Sequence, residues 1–97
     1  MANVSKPNPG VAVIGCGRWG KNLVRNFASL GALAAVCDAD DGTAAQFVTE
    51  FGVPALDVAS LFADDSIRAV AIAAPPIQHY QLAHAALDAG KHVFVEK

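Results

Sequence analysis

Three glycines in the stretch V-A-V-I-G-C-G-R-W-G, Val11 to Gly20, stand in a G-x-G-x-x-G array, directly after an apolar run and at the head of a helical pattern. In that setting the array can hold a diphosphate. Gly15 permits a tight turn, Gly17 keeps a Cβ out of the way of a pyrophosphate, and Gly20 lets the helix pack closely on the strand. The helix start adds free N–H groups and partial positive charge. Cys16, Arg18 and Trp19 fill the variable positions of this loop. A second group stands 18 residues beyond Gly20, where Asp38 closes the next apolar run. A carboxylate there accepts hydrogen bonds from ribose hydroxyls and repels a 2′-phosphate. Ala39, Asp40 and Asp41 follow without an arginine, which favours NAD over NADP. Further candidates are the Ala74-Pro75-Pro76 loop, His79 just past it, and Glu96-Lys97. On the residues alone, His79 reads as a capping or hydrogen-bonded side chain and Glu96-Lys97 as a solvated terminus.

The elements that must position these groups follow from periodicity. Val11 to Ile14 and Leu33 to Cys37 are continuous apolar runs, as in strands covered on both faces. From Arg18 to about Leu30 the spacing is helical, with Leu23, Phe27 and Leu30 inward and Gly20 and Val24 beside them. Asp40-Asp41-Gly42 opens a second helix, with Ala44, Phe47, Val48 and Phe51 inward. Val53 to Leu56 is expected as a short third strand weakened by Pro54, and Asp57 caps the turn of helix bearing Val58, Leu61 and Phe62. Ala69 to Ala73 is the fourth strand, and Pro75-Pro76 ends it. Gln78 to Ala89 is helical, with Ile77, Tyr80, Ala83 and Leu87 inward, and His92 to Val95 is the fifth strand. Strands alternating with crossover helices give a doubly wound parallel α/β sheet of expected order 3-2-1-4-5. Its ligand crevice lies between the first and fourth strands, lined by Gly15 to Gly20 and by Ala74, Pro75 and Pro76.

Composition narrows the class. At 97 residues, 54% apolar and 16% charged, the chain is one globular unit and not a disordered one. A net charge of −2 with scattered Lys and Arg gives no basic stripe for nucleic acid. No run of about 18 apolar residues suggests a membrane span. Residues 1–10 read as a loose leader without a secretory h-region, and residues 11–97 as the domain. Cys16 and Cys37 have no C-x-x-C or metal-ligand spacing and read as buried thiols of a reduced, cytoplasmic compartment. His84 and His92 read as structural; His79 and His84, five apart, do not share a helix face, and no metal site is expected.

Taken together, V-A-V-I-G-C-G-R-W-G, A-V-C-D and A-A-P-P-I-Q-H-Y-Q-L-A-H-A-A-L-D-A-G-K-H-V-F-V-E-K resemble the Gfo/Idh/MocA oxidoreductases, from about Val11 to Lys97. Ala74 stands where members usually carry threonine, and the chain stops before the proline expected after Glu96-Lys97. The resemblance implies a Rossmann domain that binds NAD and serves hydride transfer from a sugar, cyclitol or nucleotide-sugar hydroxyl. It implies that Lys97 contacts substrate and cofactor and assists proton transfer, and that Glu96 lies near the nicotinamide ribose. It brings His79 close to the site. G-R-W-G-K-N-L-V-R-N-F is similar to the branch acting on nucleotide-activated amino sugars. Members carry a second domain that binds substrate and usually mediates homo-oligomer formation. The expectation is therefore a chain truncated at the end of the fifth strand, inactive alone, with apolar surface left open to association. Two other readings remain at this stage. A non-catalytic NAD-sensing module needs the glycine loop and Asp38 but not Glu96-Lys97. An S-adenosylmethionine methyltransferase is disfavoured, because Ile14 rather than an acid precedes Gly15.

Overall fold

The computed structural model describes residues 9–17 and 20–96. Four parallel strands, β1 (Val11–Ile14), β2 (Leu33–Cys37), β3 (Ala69–Ile72) and β4 (His92–Val95), form one sheet in the order β2-β1-β3-β4. Four helices connect them: α1 (Gly20–Ser29), α2 (Asp41–Phe51), α3 (Val58–Ala63) and α4 (Pro76–Asp88). The expected five-strand order 3-2-1-4-5 is corrected. The Val53 to Leu56 segment lies beside β2 but makes only a single bridge, Ala55 to Val36, held by Val36 N–H to the Pro54 carbonyl and Leu56 N–H to the Val36 carbonyl. Pro54 has no N–H to extend that pairing, and Asp57 already caps α3 with a bond to the Ser60 amide.

The strand periodicity explains the core. Val11 and Val13 point to one face, against Val24 of α1 and Phe47 of α2. The intervening Ala12 and Ile14 point to the other, with Ile72 of β3, against Leu61 of α3 and Ala86 of α4. Both faces of the inner strands are covered, so their runs are apolar without alternation. Helix ends follow local chemistry. Asp40 accepts from the amides of Gly42 and Thr43 at the start of α2, and Gly52 ends that helix in the left-handed region at φ 67°.

Several inward assignments are corrected. Leu30 is exposed because α1 ends at Ser29, and the closing bonds from Gly31 and Ala32 turn it outward. Ile77, Tyr80 and Leu87 are exposed as well, whereas Ala86, Leu82 and Ala83 face the sheet. Apolar residues nearly encircle α4, so their spacing does not select a face. That helix also begins at Pro76, two residues earlier than expected, because proline suits a first turn. Strand β3 ends at Ile72, one residue short of Ala73.

One buried charged side chain is found among the described residues. Lys91 donates from Nζ to the Asp64 carbonyl at 2.8 Å, tying the turn before β3 to the turn before β4.

Candidate functional site

Because all four strands are parallel, the segments that follow them emerge at one edge of the sheet. Gly15 to Gly17 follow β1, Asp38 follows β2, Ala73 to Pro75 follow β3 and Glu96 follows β4. The sequence candidates on the described residues thus share one rim. Arg18, Trp19 and Lys97 lie outside the described residues.

The glycine loop is tightly built at both ends. Gly15 has φ 89°, and a Cβ there would sit 2.7 Å from the Ala74 nitrogen and 2.8 Å from the Ala73 carbonyl carbon. A side chain at Gly20 would collide with the Gly15 carbonyl, so helix and loop touch backbone to backbone. At Gly17 an added Cβ would meet nothing within 4 Å, which leaves open space over the loop. The α1 hydrogen-bond ladder reaches back to this loop through Lys21 N–H and the Gly17 carbonyl. No acidic side chain occupies the first turn of α1 among the described residues.

Asp38 is the hub of the rim. Its Oδ2 accepts from the Cys16 amide at 2.7 Å, and its Oδ1 accepts from the Asp40 amide at 2.8 Å. Two backbone donors therefore fix the carboxylate plane and bind the end of β2 to the glycine loop. Each oxygen keeps a second lone pair for another donor. The Cys16 thiol points inward, within weak hydrogen-bonding distance of the Cys37 carbonyl at 3.7 Å. Burial, followed by the Asp38 charge, pushes that thiol up to about 12, and burial also raises Cys37. Both cysteines are free, buried and protonated at neutral pH. Cys16 thus offers the rim its amide and not its sulfur.

A cleft of about 470 Å³ opens between Asp38 and the Ala74-Pro75 wall, with Gly15 at its base. Asp57, Val58, Gln78 and Leu82 also line it and were not read from sequence as site residues. Asp57 follows the segment beside β2, so the rule that ligands sit beyond strand ends could have pointed to it. A broader hollow of about 770 Å³ lies between α1 and α2, lined in part by Lys21, Arg25 and Glu50. The smaller cleft joins the ends of β1, β2 and β3, whereas Cys16 and Gly17 line the broader hollow. Pro76 is exposed, begins α4 and does not line the cleft. His79 is half-buried with Nε2 2.5 Å from the Ala74 carbonyl oxygen. Glu96 is half-buried at the β4 tip and extends the ladder by donating its amide to the Ile72 carbonyl. His84 pairs with Asp88 on the outside of α4, and His92 is exposed.

A glycine loop closed onto a strand, a helix start and a fixed acid at the second strand end define a dinucleotide-binding α/β domain. Comparison with known proteins makes this specific. Residues 10–97 match the Gfo/Idh/MocA oxidoreductase family, NAD-binding Rossmann fold, and the chain belongs to that family. The cofactor of the domain is NAD. Myo-inositol 2-dehydrogenase from Lactobacillus plantarum is 31% identical with a TM-score of 0.86, covering 95% of this chain and 28% of its own. UDP-N-acetylglucosamine 3-dehydrogenase GnnA from Acidithiobacillus ferrooxidans is 33% identical with a TM-score of 0.82, covering 90% and 28%. GenD2 from gentamicin A biosynthesis, in complex with NAD, is 28% identical with a TM-score of 0.87, covering 100% and 29%. The chain thus spans between a quarter and a third of the length of these structures. No helix among the described residues is long and apolar enough to cross a membrane.

Proposed function

We propose that this chain is the cofactor-binding part of a dehydrogenase acting on a sugar, cyclitol or nucleotide-sugar hydroxyl. The observation that carries the reading is the Asp38 carboxylate, held by two amides beside the glycine loop and facing the cleft. That donor set fits NAD: a negative, oriented acceptor for ribose hydroxyls, and open backbone over Gly17 for a pyrophosphate. The negative charge disfavours a 2′-phosphate, which selects NAD over NADP.

In this reading Gly15, Cys16, Gly17, Arg18, Trp19 and Gly20 form the diphosphate loop. Ala74 and Pro75, with His79 bonded to the Ala74 carbonyl behind them, form the facing wall. Glu96 lies toward the nicotinamide ribose, and Lys97 receives the proton of the substrate hydroxyl, as general acid–base chemistry requires. The nicotinamide, when bound, supplies the hydride acceptor, and the protein positions it. Residues 11–97 form the domain and residues 1–10 its leader. The substrate is a small molecule held by a further domain, which in the complete enzyme also mediates homo-oligomer formation. The GnnA likeness and the G-R-W-G-K-N-L-V-R-N-F segment favour the nucleotide-sugar branch. Two free buried thiols support a cytoplasmic address.

The test is Lys97→Ala in a form that carries a substrate domain. Turnover falls by about 100-fold or more, the scale of a lost general base, while NAD affinity changes little. Near-normal turnover removes Lys97 from the chemistry. The 97-residue chain alone oxidises no sugar, and detectable oxidation refutes the division of labour.

A further inference from the structure

The wall opposite the glycine loop has an unusual shortage of backbone donors. Ala74 is followed by Pro75 and Pro76, neither of which has an N–H. Pro75 is also the cap position of α4 and supplies no side-chain hydrogen bond. The Ala74 carbonyl is met instead by a side chain from the first turn of that helix, His79 Nε2 at 2.5 Å. Ala74 is nearly fully buried, and its backbone is the surface against which Gly15 turns. Any rotation of the Ala74-Pro75 peptide therefore moves the wall of the cleft and presses on the loop.

We infer that His79 is a positioning residue, whose Nε2–H donates to the Ala74 carbonyl and fixes the Ala74-Pro75 wall of the cofactor cleft. This rests on the NAD reading of the cleft and gives His79, which the resemblance brings close to the site, a supporting role there. A carbonyl only accepts, so Nε2 must carry the proton, and Nδ1 is the bare nitrogen of the neutral ring. Protonation adds a hydrogen at Nδ1 and leaves the Nε2–H bond in place. The bond that supports the wall is thus present in both charge states of the ring. A histidine touching a phosphate directly behaves oppositely, because its cation binds the anion better than its neutral form does.

The experiment has two arms on the 97-residue chain. In the first, without cofactor, nitrogen-15 NMR reports the neutral His79 ring as the Nε2–H tautomer. His79→Leu shifts the Gly15 and Cys16 amide resonances, and His79→Gln, which restores an N–H donor at similar reach, returns them toward wild type. The Nδ1–H tautomer, or unmoved resonances in His79→Leu, overturns the proposal. In the second arm, calorimetry shows NAD binding weakened about tenfold in His79→Leu and within about threefold of wild type in His79→Gln. Between about pH 5 and 8, wild type and His79→Gln show parallel affinity profiles. Tighter wild-type binding on acidification, absent in His79→Gln, assigns His79 to direct phosphate contact and overturns the proposal. A wild-type chain that passes the first arm and binds no NAD sinks the cofactor reading and leaves the His79 support standing.

Discussion

Replacing Asp38 by asparagine separates the two jobs of that side chain. The carboxylate holds the Cys16 and Asp40 amides at 2.7 and 2.8 Å, and it presents negative charge to the cleft. Asparagine keeps one carbonyl oxygen, so it can still accept from the Cys16 amide. Its NH₂ then faces the Asp40 amide, donor against donor, in an exposed turn where water can intervene. The stability loss is therefore small, on the order of 1 kcal/mol for one hydrogen bond. The charge effect is larger. A 2′-phosphate about 4 Å from a carboxylate meets repulsion on the order of 4 kcal/mol per unit charge at an effective dielectric of about 20, and less where solvent screens it. Even a quarter of that moves relative affinity about fivefold, and half of it about thirtyfold. Loss of a charge-assisted bond to the ribose also weakens NAD by about 1–3 kcal/mol. Asp38→Asn should thus shift the NAD-to-NADP affinity ratio by at least about tenfold toward NADP, measured by calorimetric titration of both nucleotides. Asp38→Ala should shift it similarly and also destabilise the fold by about 1–3 kcal/mol, because the buried Cys16 amide loses its acceptor. A wild-type chain that binds NADP as tightly as NAD, or an Asp38→Asn ratio equal to wild type, refutes the reasoning.

Other perturbations divide fold from site in the same way. Gly15→Ala meets both a φ of 89° and backbone within 3 Å, so urea denaturation should show a loss of about 2 kcal/mol or more. Gly17→Ala enters open space; its stability should stay within about 0.5 kcal/mol of wild type while NAD affinity falls. Lys91→Ala removes the amine that holds the Asp64 carbonyl at the far edge of the sheet. It should cost about 1–3 kcal/mol by thermal denaturation and leave NAD affinity unchanged. Cys16 titrates near 9.0 when free and about 12 when folded, so above pH 9 the unfolded chain sheds a proton that the folded chain keeps. This contribution to stability is constant below pH 9 and declines as pH rises toward 12, and Cys16→Ser should flatten that alkaline decline in denaturant titrations.

The sequence was most informative where one physical requirement dominated a residue. The apolar runs at Val11 to Ile14 and Leu33 to Cys37 sit on strands buried on both faces, and Asp40 and Asp57 stand at helix starts because few other residues satisfy those positions. It was least informative where two requirements competed. Val53 to Leu56 has strand composition, but Pro54 limits its pairing to one bridge. Helix α4 has apolar residues around its circumference, so Ile77, Tyr80 and Leu87 could not be distinguished from Leu82 and Ala86 by spacing. Such exposure suits surfaces that meet another body, a circumstance that a helical period does not encode. The rim residues Gly15, Asp38, Ala74 and Pro75 were legible because parallel topology sends strand ends to one edge. Val58, Gln78 and Leu82 were not, since their place in the cleft depends on how α3 and α4 cross the sheet.

The same geometry explains why the rim can be stiff without a ligand. Its parts hold one another through atoms whose partners are fixed by backbone: Asp38 on the Cys16 amide, Gly15 N–H on the Cys37 carbonyl, Ala73 N–H on the Ile14 carbonyl, and His79 on the Ala74 carbonyl. These bonds link the ends of β1, β2 and β3 into one continuous support. A nucleotide entering the cleft then meets groups already oriented, and less of its binding free energy goes into ordering the protein. Asp38 and His79 stand at opposite walls of that support, so substitutions at the two positions perturb different halves of the cleft through a shared base at Gly15. Their effects on NAD affinity should add if the base is rigid and depart from additivity if it yields. A double-variant cycle of Asp38→Asn with His79→Leu measures this directly. A coupling below about 0.5 kcal/mol supports a rigid rim, and a coupling well above that refutes it.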